Sequence, residues 1–273
     1  MPGELVHVEL QGAVARIELD SPHNRNALSA AMLGQLTAAL QTGLQDPQVR
    51  VLVLGHRGPA FCSGADLREQ AATFRQGEPG PGVGALVPLF RLMLDSDKPL
   101  VARVGGPARA GGVGLVGACD LVVATTQADF ATGEVRLGVA PAVLSVVVLP
   151  KLGRAAAARL FLTGAVVGAE EACRMGLVTQ VVPETELEAA TSTLIDQLLL
   201  AEPGALAAAK AIIRLVPGLE RDRAFSEMAE LSRELFASAG AQEGMAAFLE
   251  RRPPSWVAQV EPAKSLPEMR PPG

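Results

Sequence analysis

The chain has 273 residues, of which 49% are hydrophobic and 19% are charged, so it is long and apolar enough to bury a large core. Its formal net charge of −5 excludes a broad nucleic-acid-binding surface, which would need a basic excess. Three cysteines, an odd number, argue against a disulfide framework. Because the sequence shows neither a secretory signal nor an apolar run near the length of a membrane span, we expect a cytoplasmic protein without membrane contact.

The first elements along the chain are a predicted hairpin and a capped helix. Residues 5–19 alternate apolar and polar side chains around a turn at Gln11 and Gly12, which is typical of two antiparallel strands. Ser29 precedes leucines at helical spacing, so we expect its side chain to cap the helix that follows.

The next segment predicts a buried strand over residues 49–54 and then a sharp turn of the backbone. After Gly64, Ala65 and Asp66 are expected to begin a helix whose free N–H groups face a ligand. Residues 77–84 are dense in glycine and proline, so we predict a mobile loop there.

A glycine cluster at residues 111–117 is the most informative stretch of the chain. Gly111 and the glycines beside it leave the backbone open to close approach and let an N–H group point outward at the start of a short helix. A buried strand over residues 121–124 then returns the chain through the core toward Glu134. An outward backbone donor and a carboxylate on one rigid support predict chemistry beside a carbonyl group.

The same cluster satisfies the dinucleotide-binding pattern G-x-G-x-x-G between Gly112 and Gly117. That pattern requires a strand running directly into the first glycine and a helix long enough to cross back over the sheet. Here residues 107–110 separate the preceding strand from the glycines, and only a few residues precede the next strand. We therefore do not interpret the cluster as a dinucleotide site.

Helical patterns dominate the last third of the chain. An apolar series over residues 187–200 is interrupted by a Glu-Pro-Gly break and followed by further amphipathic helices. We therefore predict a core over residues 1–200 that binds substrate and carries the catalysis, and a helical region over residues 201–260. Residues 261–273 are rich in proline and charge, and we expect a flexible tail.

Short motifs from about residue 5 to residue 256 carry a family resemblance. They are Phe61-Cys62-Ser63-Gly64-Ala65-Asp66-Leu67, Lys98-Pro99, the glycine cluster ending in Ala118-Cys119-Asp120, Glu134-Val135-Arg136-Leu137-Gly138, Leu162-Thr163-Gly164, a segment from Glu170 to Val178, and residues 243–250. In this order they resemble the crotonase (enoyl-CoA hydratase/isomerase) superfamily. The resemblance implies an α/β fold, a crotonase-like spiral of ββα units with a C-terminal helical oligomerisation region. It also implies homotrimers or dimers of trimers.

The resemblance further implies an acyl-CoA thioester as substrate, with no separate cofactor and no metal. The N–H groups of Ala65 and Gly111 would form an oxyanion hole, and Glu134 would be the catalytic carboxylate. The residues implied to contact the substrate or its CoA group are Arg25, Ala27, Gly64, Asp66, Leu67, Lys210 and Phe248.

Several of these assignments keep an alternative. Arg25 is equally interpreted as a solvated arginine, Lys210 as a surface lysine and Phe248 as part of a helix core. By resemblance, the loop at residues 77–84 would lie over the acyl chain and set substrate selectivity. Cys62 has apolar neighbours and no evident histidine partner, so we interpret it as a small buried side chain rather than as a nucleophile.

Two positions depart from the family pattern. Family hydratases suited to water addition carry two glutamates, which together hold a water and exchange protons with the acyl chain. Here the first of these positions is Gly114, so that only Glu134 remains. A glycine that is usual just before the cluster is replaced by Ala110.

One glutamate can serve two reactions. It can move the α-proton along the chain, which is double-bond isomerisation, or it can activate a water and return the proton to the α-carbon, which is hydration. Similarity to a bacterial branch that hydrates branched enoyl-CoAs, such as methylglutaconyl-CoA, favours an enoyl-CoA hydratase. The alternatives are an enoyl-CoA isomerase and a noncatalytic acyl-CoA-binding protein. Glu134 itself is alternatively interpreted as a capping or surface carboxylate.

Overall fold

The fold is built around a six-stranded sheet in a computed structural model that describes residues 3–75 and 81–258. Its strands in spatial order are β1 (Val6–Gln11), β2 (Val14–Leu19), β3 (Val51–His56), β4 (Leu100–Val104), β6 (Leu121–Thr125) and β9 (Gln180–Val182). The first pair is antiparallel and every later pair is parallel. A smaller sheet has the order β5 (Ala108–Arg109), β7 (Asp129–Ala131) and β8 (Val167–Gly168).

Helices alternate with these strands and then follow one another, which gives the α/β class that the sequence predicts. Within the described residues they are α1 (Ala30–Gln45), α2 (Leu67–Arg75), α3 (Pro81–Leu94), α4 (Gly111–Ala118), α5 (Ala142–Val148), α6 (Arg154–Thr163), α7 (Ala169–Met175), α8 (Leu187–Leu199), α9 (Pro203–Leu215), α10 (Arg221–Ala237), α11 (Ala239–Glu250) and α12 (Ser255–Ala258). None of the helices in this part of the chain combines the length and the apolar character that crossing a membrane requires.

Two predicted local features are confirmed. Strands β1 and β2 pair Gln11 with Val14, which closes the hairpin around Gly12 in a left-handed conformation. The hydroxyl of Ser29 accepts a hydrogen bond from the N–H of Met32 at 3.2 Å, which is the geometry of a helix N-cap. Both features depend on neighbours in the sequence, so a local pattern suffices to predict them.

The structure corrects the bounds of three other predicted elements. The strand predicted over residues 49–54 begins and ends two residues later, at Val51–His56. The sequence also predicts a strand over residues 177–182, but the observed strand is only Gln180–Val182, because the N–H groups of Leu177 and Val178 donate to the carbonyl of Ala172 and cap α7 instead. Helix α2 begins at Leu67, so Ala65 and Asp66 precede the helix rather than begin it.

The prediction of a loop over residues 77–84 is wrong for its second half. Helix α3 begins at Pro81 and already contains Gly84. Proline is favoured in the first turn of a helix because its missing N–H has no intrahelical partner to lose. Residues 76–80, which include the first half of the predicted loop, lie outside the described residues.

The main core lies where α1 and its neighbours pack against the large sheet. Buried side chains on α1 recur at helical spacing, at Met32, Leu33, Leu36 and Leu40, and all are at most 1% exposed. Burying each such side chain contributes about 1.5–3 kcal/mol relative to leaving it exposed. Helix α4 is buried at all eight positions, so tertiary packing rather than the helix propensity of its glycines holds it.

The chain divides into two compact units, Met1–Ile195 and Asp196–Gly273. The second unit contains α9, α10 and α11. Several of its large apolar side chains are exposed, namely Ile213, Leu215, Phe225, Phe236, Met245, Phe248 and Leu249. The assignment of catalysis to a core and of assembly to the C-terminal helices stays a prediction, and the predicted tail at 261–273 lies outside the described residues.

Candidate active site

Two distant segments of the first unit run side by side and bring the two predicted oxyanion donors together. Cys62 and Ala108 form a parallel β-bridge, and the N–H of Arg109 donates to the carbonyl of Cys62 at 2.8 Å. Three residues further along each segment come Ala65 and Gly111. The two predicted donors therefore occupy matching positions on paired segments.

The packing of Gly64 against Ala110 shows that this pairing continues beyond the bridge. A Cβ atom placed on Gly64 would lie 2.9 Å from the Cβ of Ala110 and 3.0 Å from the carbonyl oxygen of Arg109. Gly64 also has a φ of +88°, a conformation that side chains rarely adopt. Glycine is required here both by the close approach and by the backbone conformation.

Hydrogen bonds around Leu28 set the direction of the Ala65 amide. The N–H of Leu28 donates to the carbonyl of Gly64 at 2.8 Å, and its carbonyl accepts from the N–H of Asp66 at 3.4 Å. In such a parallel bridge the flanking residues make the bonds, so the N–H of Ala65 itself points away from Leu28. This leaves the Ala65 amide directed away from the chain it pairs with.

Gly111, the second predicted donor, is the first residue of α4, where an N–H has no intrahelical acceptor. The N–H groups that follow, of Val113 and Gly114, donate to the carbonyl of Ala110. Ala110 has φ 49° and ψ −118°, in a region that glycine adopts far more readily than alanine. The turn that aims the Gly111 amide therefore carries backbone strain at the position where the family has glycine.

Glu134 reaches this region through the small sheet. Strands β5 and β7 pair Arg109 with Ala131, and the N–H of Ala110 donates to the carbonyl of Ala131 at 2.9 Å. Glu134 follows three residues later, in the 3₁₀ turn Gly133–Leu137. The pairing thus holds the carboxylate and the oxyanion segment on one support, as the sequence predicts.

The Glu134 carboxyl group is in an unusual environment. Its Oε2 atom is buried and has no hydrogen-bond partner among the described residues. Burial raises the pKa of the carboxyl group above its ordinary value, and a backbone hydrogen bond opposes that shift only in part. A carboxylate with one desolvated and unpartnered oxygen suits a general base, because that oxygen stays available for a proton.

The place of the missing first glutamate is filled by an aromatic ring. A Cβ atom on Gly114 would lie 2.5 Å from Cζ of Phe90 and 3.1 Å from Cβ of Leu144. Phe90 is on α3 and is 4% exposed. Phe90 was not predicted from the sequence, although the absence of a side chain at position 114 indicates space for another group.

The N-terminal residues predicted to contact CoA are tied to the oxyanion segment. Arg25 is exposed, with φ 58°, and its carbonyl accepts from the N–H of Ser63 at 3.0 Å. Asp66 caps α2, since its Oδ1 accepts from the N–H groups of the second and third residues after it. Leu67 is 60% exposed, whereas Ala27 is buried. Their contact with CoA stays a prediction.

The other two predicted CoA contacts, Lys210 and Phe248, are in the second unit. Lys210 is half-buried on α9. Phe248 is on α11 and is 65% exposed, which contradicts the alternative that it belongs to a helix core. Their role in binding CoA stays a prediction.

Asn26 is a buried residue that the sequence analysis did not single out. It is 0% exposed, and its Oδ1 accepts from the N–H of Ser21 at 2.6 Å. Its Nδ2 donates to the carbonyls of Arg57 and Ala60, at 3.1 and 2.8 Å. One amide therefore joins the loop of Arg25 to the segment that leads to the oxyanion donor.

Cys62 has the environment expected of a buried structural side chain. It is 0% exposed, and burial raises the pKa of its thiol to about 12. Its Sγ accepts a weak hydrogen bond from the N–H of Gly64 at 3.5 Å. A thiol with that pKa carries almost no thiolate near neutral pH, so this environment does not support a nucleophile.

The chain is similar to known proteins over nearly its whole length. A family model described as enoyl-CoA hydratase/isomerase matches residues 9–259. A Thermus thermophilus protein, assigned by name only provisionally to the enoyl-CoA hydratases, is 36% identical over 252 residues, or 92% of this chain and 99% of that protein. Carnitinyl-CoA dehydratase of Escherichia coli is 35% identical over 265 residues, or 93% and 98% of the two chains.

This chain also resembles the crystal structure of an enoyl-CoA hydratase from Mycobacterium smegmatis, with a TM-score of 0.86 and 30% sequence identity. The match covers 93% of this chain and 99% of that one. The predicted crotonase-like architecture, including the C-terminal helices, is therefore confirmed. With a family model that covers nearly the whole chain, and relatives that match over nearly their whole length, the chain belongs to the enoyl-CoA hydratase/isomerase family.

Proposed function

We propose that the protein is an enoyl-CoA hydratase that adds water across the 2,3 double bond of an acyl-CoA thioester with Glu134 as its single carboxylate. One observation carries the proposal: the buried and unpartnered Oε2 of Glu134, on the same support as the Gly111 amide. A capping or surface carboxylate would have its oxygens bonded or in solvent. Burial of a carboxylate oxygen without a partner is costly, and such burial persists where a function uses the oxygen.

The proposed reaction needs one base and two donors. The Glu134 carboxylate takes a proton from a water molecule whose oxygen adds to C3, and the electron pair of the double bond moves to the thioester oxygen. The N–H groups of Ala65 and Gly111 stabilise that oxyanion, and donors of this kind contribute about 3–4 kcal/mol each. Protonated Glu134 then returns the proton to C2, so that one water is added and the carboxylate is restored.

Isomerisation of a 3-enoyl-CoA is the second candidate, because of the ring at Gly114. Phe90 occupies the space from which a second carboxylate would hold the attacking water. In the isomerase reaction Glu134 removes a proton from C2 and returns it to C4, so no water needs to be held. Both reactions use the same oxyanion donors and the same base.

The remaining features of the proposal follow the family resemblance. CoA is the carrier portion of the substrate, and neither reaction requires a separate cofactor or a metal. Arg25, Asp66 and Leu67 are proposed to contact the CoA group from the loops beside Ala65, with Ala27, Gly64, Lys210 and Phe248 as the other predicted contacts. The exposed apolar side chains of the second unit support assembly into homotrimers or dimers of trimers. The cytoplasmic location stays a prediction.

The first experiment is an absorbance assay with crotonyl-CoA. Hydration removes the conjugated enoyl thioester, so its absorbance should fall with the wild-type protein and at least about 100-fold more slowly with Glu134→Gln. Glu184→Gln changes an exposed glutamate and should leave the rate unchanged. No absorbance change in the wild type, despite measurable binding of the thioester, would contradict hydration of this substrate.

A 3-enoyl-CoA substrate separates the alternatives. An isomerase creates the conjugated thioester, so the absorbance should rise instead of falling. If neither substrate reacts and Glu134→Gln binds acyl-CoA as the wild type does, the noncatalytic alternative is supported instead.

A further inference from the structure

The surface of α4 beside the proposed oxyanion donor is covered by apolar side chains. A Cβ atom on Gly111 would lie 2.8 Å from Cδ1 of Leu28 and 3.6 Å from Cδ1 of Leu86. One turn further along the helix, Phe90 and Leu144 cover Gly114. The nearest atoms to both glycines outside their own helix are all side-chain carbon atoms, so the side chains that cover these glycines offer an acyl chain no polar contact.

Phe90 is the tightest part of that wall. A distance of 2.5 Å from its Cζ to an ideal Cβ on Gly114 is shorter than real contacts allow, so the ring lies directly on the backbone of α4. The ring is held in place, because Phe90 is 4% exposed and its neighbours on the same face of α3, Leu86 and Met93, are 9% and 0% exposed. Tight packing of this kind resists displacement by a bulkier ligand.

The charge at the site also disfavours acyl chains that carry a negative charge. Glu134 already places one unpartnered carboxylate oxygen in a desolvated position. An acyl chain that ends in its own carboxylate would bring a second negative charge to an apolar wall, and both desolvation and like-charge repulsion oppose this. A hydrocarbon chain pays neither cost.

We infer that Phe90 is a specificity-determining residue, which restricts the site to short acyl groups and disfavours longer chains. Chains that end in a carboxylate are disfavoured by the apolar wall and by Glu134, not by Phe90 itself. The inference rests on the proposed function only in taking the acyl group to lie along α4 between Gly111 and Gly114. It concerns which thioester fits, whichever reaction Glu134 performs. Phe90→Ala should open space at Gly114 and relax the restriction on length.

The test measures binding of saturated thioesters, which need no turnover. Butyryl-CoA, hexanoyl-CoA and glutaryl-CoA are titrated calorimetrically into the wild type, Phe90→Ala and Phe90→Leu. The wild type should bind butyryl-CoA at least about tenfold more tightly than the other two, since a few misplaced atoms in an apolar pocket are worth about 10–200-fold. Phe90→Ala should raise the affinity for hexanoyl-CoA about tenfold relative to that for butyryl-CoA, and Phe90→Leu should give a ratio between those of the wild type and Phe90→Ala. Glutaryl-CoA should remain disfavoured in both variants.

Met93→Ala is the matched control, because it removes a buried side chain of the same helix that does not cover Gly114. It should lose stability without changing the ratio of affinities. An unchanged ratio in both Phe90 variants would overturn the inference, and so would wild-type preference for glutaryl-CoA or hexanoyl-CoA. If Phe90→Ala does not fold, Phe90→Leu carries the same comparison.

Turnover measured alongside binding separates this inference from the proposed function. If the affinities follow the expected pattern but neither crotonyl-CoA nor a 3-enoyl-CoA reacts, the proposed function fails and the role of Phe90 stands. If the enzyme turns over short and long chains with the same relative rates in the wild type and in Phe90→Ala, the role of Phe90 fails and the function stands.

Discussion

The ring of Phe90 occupies the space that any side chain at Gly114 would need, with Cζ 2.5 Å from an ideal Cβ position. The two residues are on different helices, α3 and α4, and both are buried. In family hydratases with two glutamates, position 114 holds the first of them. Here the Phe90 ring lies where, by the family resemblance, the side chain of that glutamate would begin.

Gly114→Ala should destabilise the protein although alanine is the better helix former. The added methyl group meets the Phe90 ring, and overpacking a core costs about 1–3 kcal/mol. Gly34→Ala is the matched control, since it is exposed on α1 with nothing within 4 Å of the added atom, and it should stabilise by about 0.5–1 kcal/mol. Urea denaturation measures both. Equal effects of the two substitutions would show that the Phe90 contact is not tight.

Ala110→Gly should make the protein more stable and less active. Holding alanine at φ 49° and ψ −118° costs about 1–3 kcal/mol of stability. Glycine avoids this strain, but its greater freedom in the unfolded chain offsets about 0.5–1 kcal/mol of the gain. The methyl group also packs on Gly64, so its loss loosens the spacing of the two oxyanion segments. We expect a higher Tm together with a lower kcat.

The control for this prediction is Ala38→Gly, at an exposed position of α1, which should lower stability by about 1 kcal/mol and leave kcat unchanged. A lower Tm for Ala110→Gly would show that the turn before α4 is not strained. An unchanged kcat would show that the methyl group does not position the donors.

Glu134→Gln should change how stability depends on pH. A carboxyl group whose pKa is raised by burial contributes stability that is present below its unfolded pKa and is lost as pH rises through its folded pKa. In thermal melts, the Tm of Glu134→Gln should therefore exceed that of the wild type most near pH 7.5, and this difference should shrink toward about pH 4. Glu184→Gln, at an exposed position, should show no such trend.

The activity of the wild type should depend on the same group. Glu134 accepts a proton only when it is ionised, so kcat/KM should rise with pH through its raised pKa. The ascending limb of the pH profile should thus lie above the ordinary range of a glutamate. A limb at or below that range would show that burial does not hold the carboxyl group protonated.

Asn26→Ala should be among the more destabilising single substitutions in the first unit. It leaves the Ser21 N–H and the carbonyls of Arg57 and Ala60 without their partner, and each buried unsatisfied group costs about 1–3 kcal/mol. We expect a loss of at least about 3 kcal/mol in urea denaturation. Asn24→Ala removes one hydrogen bond of 3.3 Å at a half-buried position and should cost about 1 kcal/mol or less. Comparable losses of stability in the two variants would show that the three hydrogen bonds of Asn26 contribute no more than the single hydrogen bond of Asn24.

The sequence by itself was sufficient to predict the family, the α/β class, the hairpin around Gly12 and the helix cap at Ser29. It also singled out Ala65, Gly111 and Glu134, because these residues stand in motifs whose order identifies the family. Such features depend on residue types at short spacing, where turns, caps and glycine conformations are decided by neighbours in the chain.

Only the tertiary structure showed that Phe90 lies on Gly114, that the segment of Cys62 pairs with that of Ala108, and that Asn26 joins its own loop to the segment of Arg57 and Ala60. It also showed that residues 81–84 form the start of helix α3 instead of a loop. These contacts join residues that are distant in the sequence. Periodicity and propensity act over a few residues, whereas close packing and the pairing of buried polar groups are settled only when the whole core assembles.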